Sequence, residues 1–215
     1  VLWLLLIAAV VPYFVGLDDS SIWDANEAFY VETPREMIER GDYVSPSFNY
    51  EPRFNKPVLS YWIVAGFYRL FGISPGVQRL PMALAAVTLI AVAFFLARAA
   101  YPSGASDTGA RTDGALWAAI GLALTPRLLM FARRIFIDMY ITMFMGLTLL
   151  FFALAERYPA RRRSFLLLMY VSVGLGVLTK GPIAIVLPAI VFGAYLLLRR
   201  ELPRIREMMI PVGVL

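Results

Sequence analysis

LPMALAAVTLIAVAFFLARAA, residues 80–100, runs 21 positions with a single charged side chain, Arg98. A helix of that length rises about 30 Å, the thickness of a bilayer's hydrocarbon core. Further apolar runs flank it at Val1–Leu17, Gly114–Met130, Asp138–Ala155, Phe165–Leu178 and Ile183–Leu198. Thr179-Lys180-Gly181-Pro182 splits the last two, and Met208–Leu215 reads as the start of a seventh. The short fifth run is expected to share its depth with a partly buried Lys180 turn. Of 215 residues, 60% are hydrophobic and 16% charged, with a mean hydropathy of +0.71. Soluble domains carry about 25% charged residues. The expected fold class is an all-α membrane protein, a multi-span transmembrane helix bundle.

The chain has no cysteine and no histidine. That excludes a disulfide scaffold and a Cys/His zinc site, and it leaves acid–base work to carboxylates. A bound divalent cation would need oxygen ligands; Asp24, Glu27 or Asp138 could supply them, but no cofactor is required. The net charge of +5 does not point to nucleic acid, because the basic residues sit in short clusters between apolar runs. The positive-inside rule accounts for them better. Loops 98–113, 156–163 and 199–207 hold ten of the 20 Lys and Arg against five acids. The alternate loops hold ten against ten. The first set is therefore expected in the cytoplasm, and 18–79 outside.

No small-residue cleavage site precedes Asp18, so the first run reads as a span rather than a cleaved signal. The chain is expected to be the N-terminal part (1–215) of one transmembrane domain whose C-terminal remainder is missing.

The outer segment is about 60 residues long and patterned. Asp24 and Glu27 form an Asp-x-x-Glu capping box for a helix that stops at Gly41. Pro34 predicts a kink or two short helices there. Tyr43–Asn55, rich in Pro, Asn and aromatics, reads as extended loop. A second helix is expected from Pro57 to Phe71. It is too short to span, and it carries Tyr61, Trp62, Phe67 and Tyr68. Such a helix suits the headgroup layer, as a shelf at the depth of lipid phosphates. Residues 102–114, small and polar, read as a loose loop.

Three clusters share the outer side: Asp24 to Glu27, Arg53 to Pro57, and Arg133-Arg134 with Asp138. Lys180 joins them from the turn between the last two spans. A carboxylate can take a proton from an acceptor hydroxyl, and Lys or Arg can hold a departing phosphate. Plainer roles exist for each. Asp24 and Glu27 cap a helix, Arg133 and Arg134 anchor span ends, Lys180 snorkels, and Asp138 pairs with Arg134 at i,i+4.

Asn26-Glu27-Ala28-Phe29-Tyr30-Val31-Glu32-Thr33-Pro34-Arg35-Glu36-Met37 resembles the Asp-Glu segment of bacterial aminoarabinose transferases and dolichyl-phosphate-mannose protein mannosyltransferases. Gly41-Asp42-Tyr43 and Phe54-Asn55-Lys56-Pro57-Val58-Leu59-Ser60-Tyr61-Trp62 are similar to that family's Gly-Asp-Trp and Lys-Pro-Pro-Leu-x-Tyr-Trp stretches. Asp138-Met139 and Leu178-Thr179-Lys180-Gly181-Pro182 match later signatures in order. The resemblance implies a C-type glycosyltransferase fold with interfacial helices in the first extracytoplasmic loop. It also implies a polyprenyl-phosphate sugar donor and a site facing the periplasm or exterior of the bacterial inner membrane. The partners are then that donor, membrane lipids, and an acceptor such as lipid A, a glycan or a protein.

By position, Glu27, Asp24 and Asp138 become the catalytic candidates. Asn26, Tyr30, Lys56, Arg53, Arg133, Arg134 and Lys180 become the substrate-binding ones. Lys56 falls on the lysine that contacts the lipid phosphate. The family's leading Asp aligns with Asn26, which cannot act as a base. Asp24 or Glu27 then takes the role, or the acceptor is placed differently; Glu27 assisted by Asp24 is preferred. The alternative is a non-catalytic protein that binds or flips polyprenyl-phosphate lipids, which needs the cations but not the carboxylates.

Overall fold

The computed structural model describes residues 1–19, 25–101, 108–201, 205, 207 and 208. Its helices are α1 (Leu2–Val10), α2 (Ala25–Arg40), α3 (Leu59–Phe71), α4 (Pro75–Ala100), α5 (Thr108–Ala123), α6 (Pro126–Ala132), α7 (Ile137–Arg157), α8 (Arg162–Lys180) and α9 (Ile183–Leu198). A two-residue hairpin, β1 (Ser47–Phe48) with β2 (Glu51–Pro52), lies between α2 and α3. The all-α, multi-span reading is what the structure shows.

Helix α4 begins as the sequence dictates. Pro75 takes a first-turn position where no amide donor is needed, and the Ser74 hydroxyl accepts the Val77 N–H at 3.3 Å. Helices α4, α7 and α8 with its preceding turn are long and apolar enough to cross a membrane. The pair α5–α6 would be a fourth crossing, bent by 63°. Pro126 sets that break. It cannot donate to Leu122, so the carbonyl of Leu122 takes the Thr125 N–H instead, at 3.0 Å.

Small residues let the helices close up. Ala83, Ala86, Ala115, Ala119 and Ala123 are buried together where α4 meets α5, beside Met82, Ile90 and Tyr140. A second cluster stacks Phe152 of α7 on Phe192 of α9, ring centroids 4.1 Å apart. Phe95, Trp117, Val171 and Ile190 face outward. Large apolar side chains on several helices suit lipid rather than water.

Several local expectations are corrected. The first run is not helical to Leu17. Pro12 interrupts it, α1 gives way to a short 3₁₀ turn at Val11–Tyr13, and Gly16 adopts φ +67°. A β-carbon on Gly16 would meet the movable end of the Asp19 side chain, so the turn needs glycine chiefly for its dihedral. Pro34 does not split α2, which is continuous from Ala25 to Arg40. One missing hydrogen bond is outweighed by packing, since Thr33, Pro34, Glu36 and Met37 are all buried.

The stretch 43–55 is not simply extended. Asn49 and Tyr50 both take positive φ and close the hairpin, which the buried Glu36 carboxylate holds from below through the Ser47 hydroxyl and the Tyr50 amide. The second outer helix starts at Leu59, two residues late, and ends on schedule. Residues 108–114 are helical, not loose loop. The fifth span reaches Arg162–Lys180, longer than its apolar run, because polar residues at its ends stay helical. Asp24 of the expected capping box lies outside the described residues, as do 102–107 and the apolar tail from 209.

The two loop sets sort to opposite ends of the bundle. At one end Arg111 donates to the Arg98 carbonyl, Arg162 pairs with Glu156 and Arg199 with Glu201. At the other end residues 12–18, 74–79 and 133–138 come together. Close packing between α8 and α9 keeps Lys180 at this second end. A β-carbon on Gly176 would sit 2.8 Å from the β-carbon of Ala184 and 3.3 Å from Ile141 Cδ1. Gly176→Val is expected to destabilise the intact protein by about 1–3 kcal/mol, read as a lowered Tm in detergent.

Candidate active site

The sequence places acids and bases at one depth; the fold decides which of them meet. Asp138 stands in the first turn of α7 and Lys180 in the last turn of α8. They form a direct ion pair. Asp138 is not paired with Arg134. Arg134 belongs to the turn before α7, where the i,i+4 helical geometry does not exist, and it is exposed. The Asp138 side chain is 55% exposed and that of Lys180 34%, so the pair is open on one side.

Helices α2 and α3 supply aromatic side chains near this pair. Tyr30 of α2 stacks on Tyr61 of α3, centroids 5.8 Å apart and planes 26° from parallel. Arg53, just after the hairpin, lays its guanidinium over Phe29 at 3.5 Å. Its Nε is buried without a hydrogen-bond partner among the described residues. Burial pushes the Tyr30 phenol up to about 12. Tyr61 and Asp138 push the same way, and Arg53 opposes them. Tyr30 is thus within electrostatic reach of Tyr61, Arg53 and Asp138. Burial also raises Tyr61, against the nearby Arg53 charge that lowers it.

Lys56 is exposed in the turn leading to α3, three residues after Arg53, and has no ion-pair partner among the described residues. Asn26 lies in the first turn of α2. Trp62 fixes the level of α3 by donating its indole N–H to the Tyr43 carbonyl at 2.6 Å.

Two expected site residues are engaged elsewhere. Arg133 donates to the carbonyls of Pro12 at 3.1 Å and Gly16 at 3.2 Å, so it ties down the end of the first span rather than facing a ligand. Glu27 is 4% exposed and forms an ion pair with Arg79 at 3.2 Å. Arg79 itself is 2% exposed and also donates to the Leu17 carbonyl at 2.9 Å. Sequence reasoning missed Arg79. A signal existed: an arginine in the second turn of an apolar 26-residue helix must find an anion. Among the described residues no three Asp or Glu side chains converge as a metal site.

A family model described as dolichyl-phosphate-mannose-protein mannosyltransferase matches residues 55–215, which include Lys56, Asp138 and Lys180. An uncharacterized protein of Aquifex aeolicus (strain VF5) is 35% identical over 206 residues, covering 94% of this chain and 39% of that relative. The undecaprenyl phosphate-alpha-4-amino-4-deoxy-L-arabinose arabinosyl transferase of Aeromonas salmonicida (strain A449) is 28% identical over 219 residues, 94% of this chain and 36% of its own. The crystal structure of ArnT from Cupriavidus metallidurans bound to undecaprenyl phosphate superposes with a TM-score of 0.87 at 27% identity. It covers 99% of this chain and 38% of the solved one. The chain therefore spans somewhat more than a third of the length of these relatives.

The raised Tyr30 phenol gives a pH dependence with a definite sign. Burial favours the neutral form, so its contribution to stability is complete below pH 10 and is lost as pH rises from 10 towards 12. Wild-type protein should lose Tm across that window more steeply than Tyr30→Phe, measured by thermal unfolding between pH 8 and 12.

Proposed function

Because the chain belongs to the dolichyl-phosphate-mannose-protein mannosyltransferase family, we propose that it forms part of a glycosyltransferase that moves a sugar from a polyprenyl-phosphate donor to an acceptor at the outer face of the membrane. The observation that carries this reading is the open Asp138–Lys180 pair, with Tyr30 within electrostatic reach of both Asp138 and Arg53. It sets a carboxylate and cations side by side at one end of the bundle. Likeness to an undecaprenyl-phosphate-bound structure supports the class of donor. The basic loops at the opposite end support an outward orientation for this one.

The reaction is displacement at the anomeric carbon. An acceptor hydroxyl oxygen forms the new bond while the bond from that carbon to the phosphate oxygen breaks. The hydroxyl proton passes to a carboxylate, Asp138 or Asp24, and the departing phosphate keeps the electron pair. Lys56, Lys180, Arg53 and Arg134 are the cations we assign to holding that phosphate. A donor phosphate also competes with Asp138 for Lys180, and drawing the ammonium away leaves the carboxylate free to accept the proton. Asn26 contributes amide hydrogen bonds rather than basicity. Direct displacement inverts the anomeric centre. An aminoarabinose or mannose donor, with lipid A, a glycan or a protein as acceptor, is the range the relatives suggest.

Reconstituting the full-length protein with undecaprenyl-phosphate-linked 4-amino-4-deoxy-L-arabinose and lipid A, and following transfer by mass spectrometry, tests the reading. Lys56→Ala should raise the donor KM about 10- to 100-fold, the loss of one charge-assisted contact. Asp138→Asn should lower kcat by about 10²–10⁴ while donor binding persists. Undiminished transfer by an Asp24→Asn/Asp138→Asn double variant would sink the assignment of these carboxylates.

A further inference from the structure

Glu27 has a place in the fold that a proton acceptor does not need. Its Oε1 receives the Arg79 Nε–H at 3.2 Å and the Ile135 N–H at 3.4 Å. Arg79 then reaches the Leu17 carbonyl at 2.9 Å. One buried network thus fastens four separate segments: the end of the first span, α2, the start of α4, and the turn from which α7 departs. Ile135 lies three residues before Asp138, and Arg133 in the same turn is fastened to Pro12 and Gly16.

We infer that Glu27 is a positioning residue: paired with Arg79, it locks the turn 133–136 and thereby sets where Asp138 presents its carboxylate to substrate. The inference rests on the transferase reading above and revises the expectation that Glu27 takes the proton. A general base must come within about 2.6–3.2 Å of the acceptor hydroxyl. Glu27 is 4% exposed and shares its oxygen with a guanidinium that is 2% exposed, whereas Asp138 opens to the surface. Removing either partner breaks the same buried contact, so the two should fail together.

The test uses full-length protein carrying Glu27→Gln, Arg79→Gln, or both, with kcat followed against pH. A positioning pair gives similar kcat losses in all three variants, about 10- to 100-fold for a displaced catalytic group. The acid limb of the wild-type profile persists in each. Where Arg79→Gln does not accumulate as folded protein, Arg79→Lys carries the comparison and should lose less than Glu27→Gln. Losses that multiply in the double variant, disappearance of the acid limb in Glu27→Gln, or unchanged turnover throughout would each overturn the inference. If wild-type protein transfers no sugar from the polyprenyl-phosphate donor, the transferase reading fails by itself. The pair is then judged by Tm: equal, non-additive losses support the lock and additive ones refute it.

Discussion

The Glu27–Arg79 ion pair is the contact on which the site end of the molecule turns. Two opposite charges are buried where helices leave the apolar layer, and neither could stay there alone, since unpaired burial costs several kcal/mol per ion. Joined, they tie α2 to the first residues of α4, with one hydrogen bond left over for the turn before α7 and another for the end of the first span. Arg133 and Asp18 repeat the device nearby. The arginine donates to the carbonyls of Pro12 and Gly16 beyond the interrupted α1, and Asp18 accepts the Gly76 N–H at the start of α4 at 2.6 Å. Charged side chains here complete a backbone that has stopped being helical, as must happen wherever irregular chain approaches the hydrocarbon.

The long helices were legible because their signal is local. A run such as residues 80–100 has one low-energy solution in a bilayer, and α4 realises it with its proline start and serine cap. The breaks were half legible. Pro12 and Pro126 act as their chemistry requires, ending α1 and bending the third span. Pro34, with the same chemistry, does not break α2, because buried neighbours on its own helix and the hairpin bound to Glu36 keep the helix continuous. Nothing in residues 30–38 taken alone separates these outcomes; the deciding contacts come from 47–50.

The site was legible as a set of residues at one depth, not as a set of partners. Asp138 and Lys180 are 42 positions apart and meet only because α7 and α8 run antiparallel with their ends level. Glu27 and Arg79 are 52 apart, and a capping pattern hid the ion pair. Arg133 and Arg134 look equivalent in sequence, yet one is turned into the scaffold and the other faces out, because adjacent residues in a tight turn point in different directions. Long-range pairing of this kind is the information that periodicity and spacing leave out.

The choice of a proton acceptor narrows once each acid's partner is known. Glu32 is held by Arg35 on its own helix, Glu36 by the hairpin, Asp18 by the start of α4 and Glu27 by Arg79. Glu36, Asp18 and Glu27 each maintain a junction of the fold, and Glu32 is neutralised within its own helix, so using any of them as a base would break that pairing in every cycle. Asp138 differs in kind. Its partner is an ammonium on a flexible four-carbon stem, not a planar guanidinium or a backbone amide, and the pair is open to the surface. A lysine can follow an arriving phosphate and release the carboxylate without moving a helix. With asparagine at the position where the family carries aspartate, a carboxylate whose counter-ion can be exchanged is the feature that a phosphate-linked donor would call upon.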